Sequence, residues 1–108
     1  MPVPPPPVPA KLRELLKDYP NQIARLQQVL NAVAEEPAAA PRFEYAIWAL
    51  EGRVDTFFQE ARAELKAATE SGDARLIAEA GAKERLMARL VLQKPWYGDK
   101  EFSAYFGK

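Results

Sequence analysis

The sequence predicts an all-α fold: a small helical bundle built on a long antiparallel helical hairpin, about 42–70 and 74–93, with two shorter N-terminal helices. Three observations predict it. Phe43, Ile47, Leu50, Val54, Phe57, Ala61, Leu65 and Ala68 recur at spacings of three and four with no proline among them. At about 100° per residue they form one apolar seam along a single helix, with Phe58 at its edge. Ser71-Gly72-Asp73 then offers a glycine to end that helix and an aspartate to cap another, the punctuation of a tight turn between antiparallel helices. A second helical pattern follows, and almost nothing in the chain reads as a strand.

The elements follow in order. Residues 1–9 read MPVPPPPVP; consecutive prolines lock φ and remove donors, so a flexible or extended polyproline leader is expected. Within it Pro6-Pro7-Val8-Pro9-Ala10-Lys11 fits a PxxPxK pattern of the kind SH3 grooves bind. The plainer reading is a leader that lies on the domain or hangs ahead of it. A first helix is expected over 10–19, with Leu12, Leu15, Leu16 and Tyr19 on one face. Pro20 interrupts it by pushing Tyr19 out of helical geometry, and suits the first turn of a second helix. That helix should reach residue 36 and turn Ile23, Leu26, Val29, Leu30, Val33 and Ala34 inward. Residues 37–41, PAAAP, read as a short connector. The third helix carries the seam and would be roughly 40 Å long. In the fourth, Leu76, Ile77, Ala80, Met87, Leu90 and Val91 make the apolar face, which Gly81, Lys83 and Glu84 weaken, and Pro95 ends it. Residues 95–108 hold five of the chain's eleven aromatic residues without settled periodicity. A disordered tail is poor in aromatics, so this segment is expected to dock. The expected organisation is therefore a leader over 1–9, one helical domain over 10–94 and a docked aromatic segment over 95–108.

Composition excludes more than it identifies. Lys plus Arg is 15 and Asp plus Glu is 15 in 108 residues; a dedicated nucleic-acid binder is usually basic. The chain has no cysteine and no histidine, so disulfides, thiol chemistry and the commonest general base and metal ligand are absent. No charged stretch followed by an apolar run opens the chain, and no run is long enough to span a bilayer. A cytoplasmic protein without cofactor or metal is expected, and the richness in alanine and arginine suggests a bacterial source.

Candidate functional residues fall into four groups. Tyr45, Trp48, Ala49 and Gly52 lie opposite the seam in the first three turns of the third helix. Either the first two helices cover them, or a partner does, with Trp48 as anchor and Gly52 allowing close approach. In the tail, Trp96, Tyr97, Phe102, Tyr105 and Phe106 either cap the bundle or bind a partner. A regular hairpin would bring Tyr45, Trp48, Trp96 and Tyr97 into one neighbourhood. Glu44, Glu51 and Asp55 align on one flank, with Arg62 continuing the row; such a row is commonly a solvated face, and carboxylate metal sites in bundles usually add histidines. On the fourth helix Arg75, Arg85 and Arg89, with Lys94 beyond, could meet phosphate. No serine or threonine has a histidine or cysteine to activate it, and there is no phosphate-binding glycine pattern.

The reading that results is a non-enzymatic helical module for protein–protein interaction or self-assembly. A homodimer is expected because the 54–68 half of the seam extends beyond the reach of the first two helices. The alternative is a nucleic-acid-associated regulator using Arg75, Arg85, Arg89 and Lys94. An enzyme working through Glu44, Glu51 or Asp55 is the third reading.

Overall fold

The computed structural model describes residues 5–35 and 42–106. Five helices fall within them: α1 (Ala10–Leu15), α2 (Pro20–Glu35), α3 (Arg42–Ser71), α4 (Ala74–Gln93) and α5 (Lys100–Phe106). Among the described residues there is no strand. The fold is all-α, and α3 and α4 form the expected hairpin, with α3 packing against α4. The 37–41 connector lies outside the described residues. No described helix is long and apolar enough to cross a membrane.

The turn between α3 and α4 follows its residues closely. Gly72 takes φ +74°, a left-handed geometry that glycine adopts without cost. The Asp73 carboxylate then accepts from the backbone N–H groups of Arg75 and Leu76, at 2.9 and 3.2 Å, satisfying two donors that a helix start leaves orphaned. The helix expected over 10–19 ends earlier, at Leu15. Its last turn tightens instead: the N–H of Lys17 donates to the carbonyl of Glu14 at 3.3 Å and that of Tyr19 to the carbonyl of Leu16 at 2.8 Å. These three-residue spacings close the chain before the proline constraint at Tyr19 is reached.

The chain forms two compact units, residues 1–53 with 95–108, and residues 54–94. The first unit gathers α1, α2, the start of α3 and the tail. Leu12, Leu16, Leu26, Leu30, Ile47 and Leu50 are buried there, together with Trp96, Phe102 and Phe106. The Phe43 and Phe102 rings lie 5.9 Å apart, which seats the tail beside the first turn of α3. Residues 5–9 are seated as well. Val8 and Pro9 are buried, Gln27 Nε2 donates to the Pro6 carbonyl at 2.7 Å, and Arg13 Nε donates to the Val8 carbonyl at 3.0 Å. This part of the leader, expected to be flexible or extended, is held on the unit because the backbone carbonyls of Pro6 and Val8 accept hydrogen bonds while Val8 and Pro9 supply apolar surface.

The tail contains a helix, α5, that its irregular apolar spacing did not announce. Gly98 sits at φ +82° and Asp99 follows, repeating the Gly-Asp pair that opens α4. The N–H of Phe102 donates to Asp99 Oδ1 at 2.9 Å, and the N–H of Ala10 donates to Asp99 Oδ2 at 2.8 Å. One carboxylate thus serves the starts of both α5 and α1. The second service matters because Pro9, at the N-cap of α1, provides no side-chain acceptor.

The second unit is the α3–α4 hairpin from Val54 onward. Val54, Phe57, Ala61, Ala68, Met87 and Leu90 are buried. Gly81, read as a weak point of the α4 face, is buried too, and a Cβ there would lie 3.4 Å from Arg85 Nη1 and 3.9 Å from Leu65 Cδ1, at ordinary contact distance. Lys83 Nζ reaches Glu64 at 3.0 Å across the pair, and the Arg62 guanidinium sits 5.7 Å over the Phe58 ring. Leu76 departs from the expected apolar face and stands half exposed in the first turn of α4.

Candidate interaction surfaces

Residues three and four apart share a helix face. On α3 the inward positions Ala46, Ile47 and Leu50 leave Glu44, Tyr45, Trp48 and Gly52 facing out. Trp48 is 75% exposed and Tyr45 38%. The expectation that α1 and α2 cover this face within the chain is therefore corrected. Those helices are short, and their most buried apolar residues, Leu12, Leu16, Leu26, Leu30 and Val33, lie in the core rather than over this face. Gly52 also has open space where its Cβ would be. A glycine inside an exposed helix costs about 1 kcal/mol relative to alanine, and among the described residues nothing would meet a Cβ there.

The tail candidates divide by depth. Trp96, Phe102 and Phe106 are core residues, with Trp96 only 1% exposed. The Phe102 and Phe106 rings meet tilted by 59° with centroids 5.2 Å apart, and Tyr105 meets Phe106 edge-on at 4.9 Å. Tyr97 lies beside Trp96, ring centroids 6.2 Å apart, yet is 58% exposed. Of the residues proposed for partner binding, Trp96, Phe102 and Phe106 are thus committed to the first unit. Tyr45, Trp48, Gly52 and Tyr97 are on its surface, and Tyr105 is half-buried.

On α4, Arg75, Arg85 and Arg89 are exposed. Arg75 pairs with Glu79 at 3.1 Å, and Arg89 Nε donates to Gln93 at 3.3 Å. Lys94 does not extend the row as a helical residue. It takes φ 48° as the C-cap, and its N–H donates to the Leu90 carbonyl at 3.1 Å. Sequence reasoning passed over Leu92, which is 82% exposed. The signal was its position three residues after Arg89, on the outer side of the helix.

Other candidates carry less chemistry. Among the described residues no group of three or more acidic side chains could hold a metal ion. Two of the hydroxyls serve the backbone: Thr69 Oγ1 donates to the Leu65 carbonyl at 2.8 Å and Ser71 Oγ to that of Ala68 at 2.6 Å. In the PxxPxK stretch Pro6 and Pro9 face the unit that seats them and are buried, so an SH3 groove would have to strip the leader from its place. The 54–68 half of the seam is buried apart from Leu65, which is half-buried; it gives no reason for a second copy to cover it. Among the described residues, the large apolar groups left open are Trp48, Tyr97, Leu76, Leu92 and Tyr45. In comparisons with known proteins, no family model, curated protein or solved structure matches the chain.

Proposed function

We propose that the chain is a non-enzymatic helical module that binds protein through the outer face of α3. The observation that carries this reading is Trp48, three-quarters exposed on a helix whose opposite side is anchored in a core. Tryptophan is the residue type most enriched among interface anchors, where a few such side chains carry most of the binding energy. Tyr45, one turn away, adds a second amphipathic ring, and Gly52 leaves the backbone open to close approach. The cysteine-free composition suits a cytoplasmic protein, and its alanine and arginine content suits a bacterial one.

The test is affinity capture from the source lysate with wild type and Trp48→Ala side by side, each with and without nuclease. A protein partner retained after nuclease and lost with Trp48→Ala is expected. Equal capture by both proteins would refute the role of this face. The second reading, nucleic-acid contact, draws on the exposure of Arg75, Arg85 and Arg89 along α4. It requires binding that falls steeply with added salt and vanishes with nuclease; the zero formal charge of the chain weighs against it.

A further inference from the structure

From the charge and spacing of two helix faces, we infer that the Trp48 face of α3 receives α4 of a second copy of the same chain. The inference rests on the interaction role proposed for that face and supplies its occupant. Along the outer side of α4, Arg75, Ala78, Ala82, Arg85, Arg89 and Leu92 follow one another at spacings of three and four, and all are exposed. That is the spacing of a helix-pairing seam. Its charges are all positive, its central residues are small, and it ends in the large apolar Leu92. On α3, Glu44, Trp48 and Glu51 follow at four and three, with Asp55 four further along the same helix. Here the charges are all negative and one large apolar group stands among them.

The two rows match in one antiparallel register. With Trp48 opposite Leu92, three residues onward on α3 and three back on α4 set Glu51 opposite Arg89. Four more in each direction set Asp55 opposite Arg85. Each of these three layers joins unlike charges or two apolar groups. Trp48 and Leu92 are the two most exposed large hydrophobic residues among those described, at 75% and 82%, and this contact removes both from water. Gly52, one turn past Trp48, permits the close approach. The apolar pair supplies the attraction, and the ion pairs, modest when exposed, select the register and reject like-charged alternatives. A phosphate backbone would satisfy the arginines but leave Leu92 in water and Trp48 unused, so a second copy accounts for more of the exposed surface. The contact joins unlike faces, so each copy offers one of each.

The test is analytical ultracentrifugation of the full chain from micromolar to millimolar concentration, with circular dichroism to check helicity. Wild type is expected to self-associate reversibly. Trp48→Ala and Leu92→Ala, both at exposed positions, should keep their helicity and weaken association at least tenfold. Mixing these two variants should restore association, since each retains the face the other has lost. Glu51→Arg and Arg89→Glu should each weaken association, and the two combined in one chain should recover it. A wild type that stays monomeric to millimolar concentration overturns the inference. So does association that neither Trp48→Ala nor Leu92→Ala alters. A monomeric chain that still captures a different protein through Trp48 overturns it while leaving the interaction role standing, and a monomer that binds nucleic acid through Arg85 and Arg89 overturns it in favour of the other reading.

Discussion

The chain has two tryptophans, and the structure gives them opposite roles, so truncating each in turn tests the core and the surface with the same chemical change. Trp96 is 1% exposed. Its removal forfeits the burial of a side chain of about 250 Å², and Trp→Ala changes in cores cost about 3–5 kcal/mol once the cavity is counted. Against a total stability of about 5–15 kcal/mol for a domain, that is a large fraction. Trp48 is 75% exposed, so only about a quarter of its surface is covered, about 60 Å², or about 1.5 kcal/mol at about 25 cal/mol per Å². Alanine recovers about 0.5 kcal/mol as the better helix former, leaving a net loss near 1 kcal/mol. Urea unfolding at low micromolar concentration, followed by far-UV circular dichroism, measures both, and the low concentration keeps association out of the comparison. The remaining tryptophan reports each environment by its emission and its quenching by acrylamide: shielded for Trp96, accessible for Trp48. Equal losses from Trp48→Ala and Trp96→Ala, or an accessible Trp96, would refute the placement of the tail in the core. Trp96→Phe should cost less than Trp96→Ala, because the phenyl ring refills much of the cavity, and the indole N–H it gives up meets no acceptor among the described residues, so no hydrogen bond is broken.

Val54 is fully buried in the hairpin, and Val54→Asp places an uncompensated carboxylate there; loss of cooperative unfolding by circular dichroism is expected, and a normally melting, fully helical variant would refute the seam. Asp99→Ala removes an acceptor from both α5 and α1 and should cost about 1–2 kcal/mol in the same urea assay, with hydrogen exchange rising at the amides of Ala10 and Phe102 together; exchange rising at Phe102 alone would contradict the shared cap. Gly52→Ala meets open space and should raise stability by up to about 1 kcal/mol while weakening association, and a stabilised variant that associates normally would remove Gly52 from the interface.

Much of the fold was legible because its signals are local. The seam from Phe43 to Ala68 and the Ser71-Gly72-Asp73 turn need nothing beyond neighbouring residues, and they set α3, α4 and their antiparallel pairing. The same Gly-Asp signal stands at Gly98-Asp99, where the aromatic crowding of the tail masked it and α5 went unread. The two tryptophans show where local signals stop. Both sit among apolar neighbours on or beside helices, and no periodicity separates a core tryptophan from an exposed one. Burial is a relation between distant segments: Trp96 is inside because the tail folds back beside Phe43, and Trp48 is outside because α1 and α2 spend their leucines elsewhere. Asp99 likewise caps α1 across a separation of 89 residues, a partnership that only tertiary structure creates. The sequence by itself determined the helices and their order, since hydrogen bonds between near neighbours decide them. Tertiary structure decided which aromatic faces remain for a partner, since that depends on what the rest of the chain has already covered.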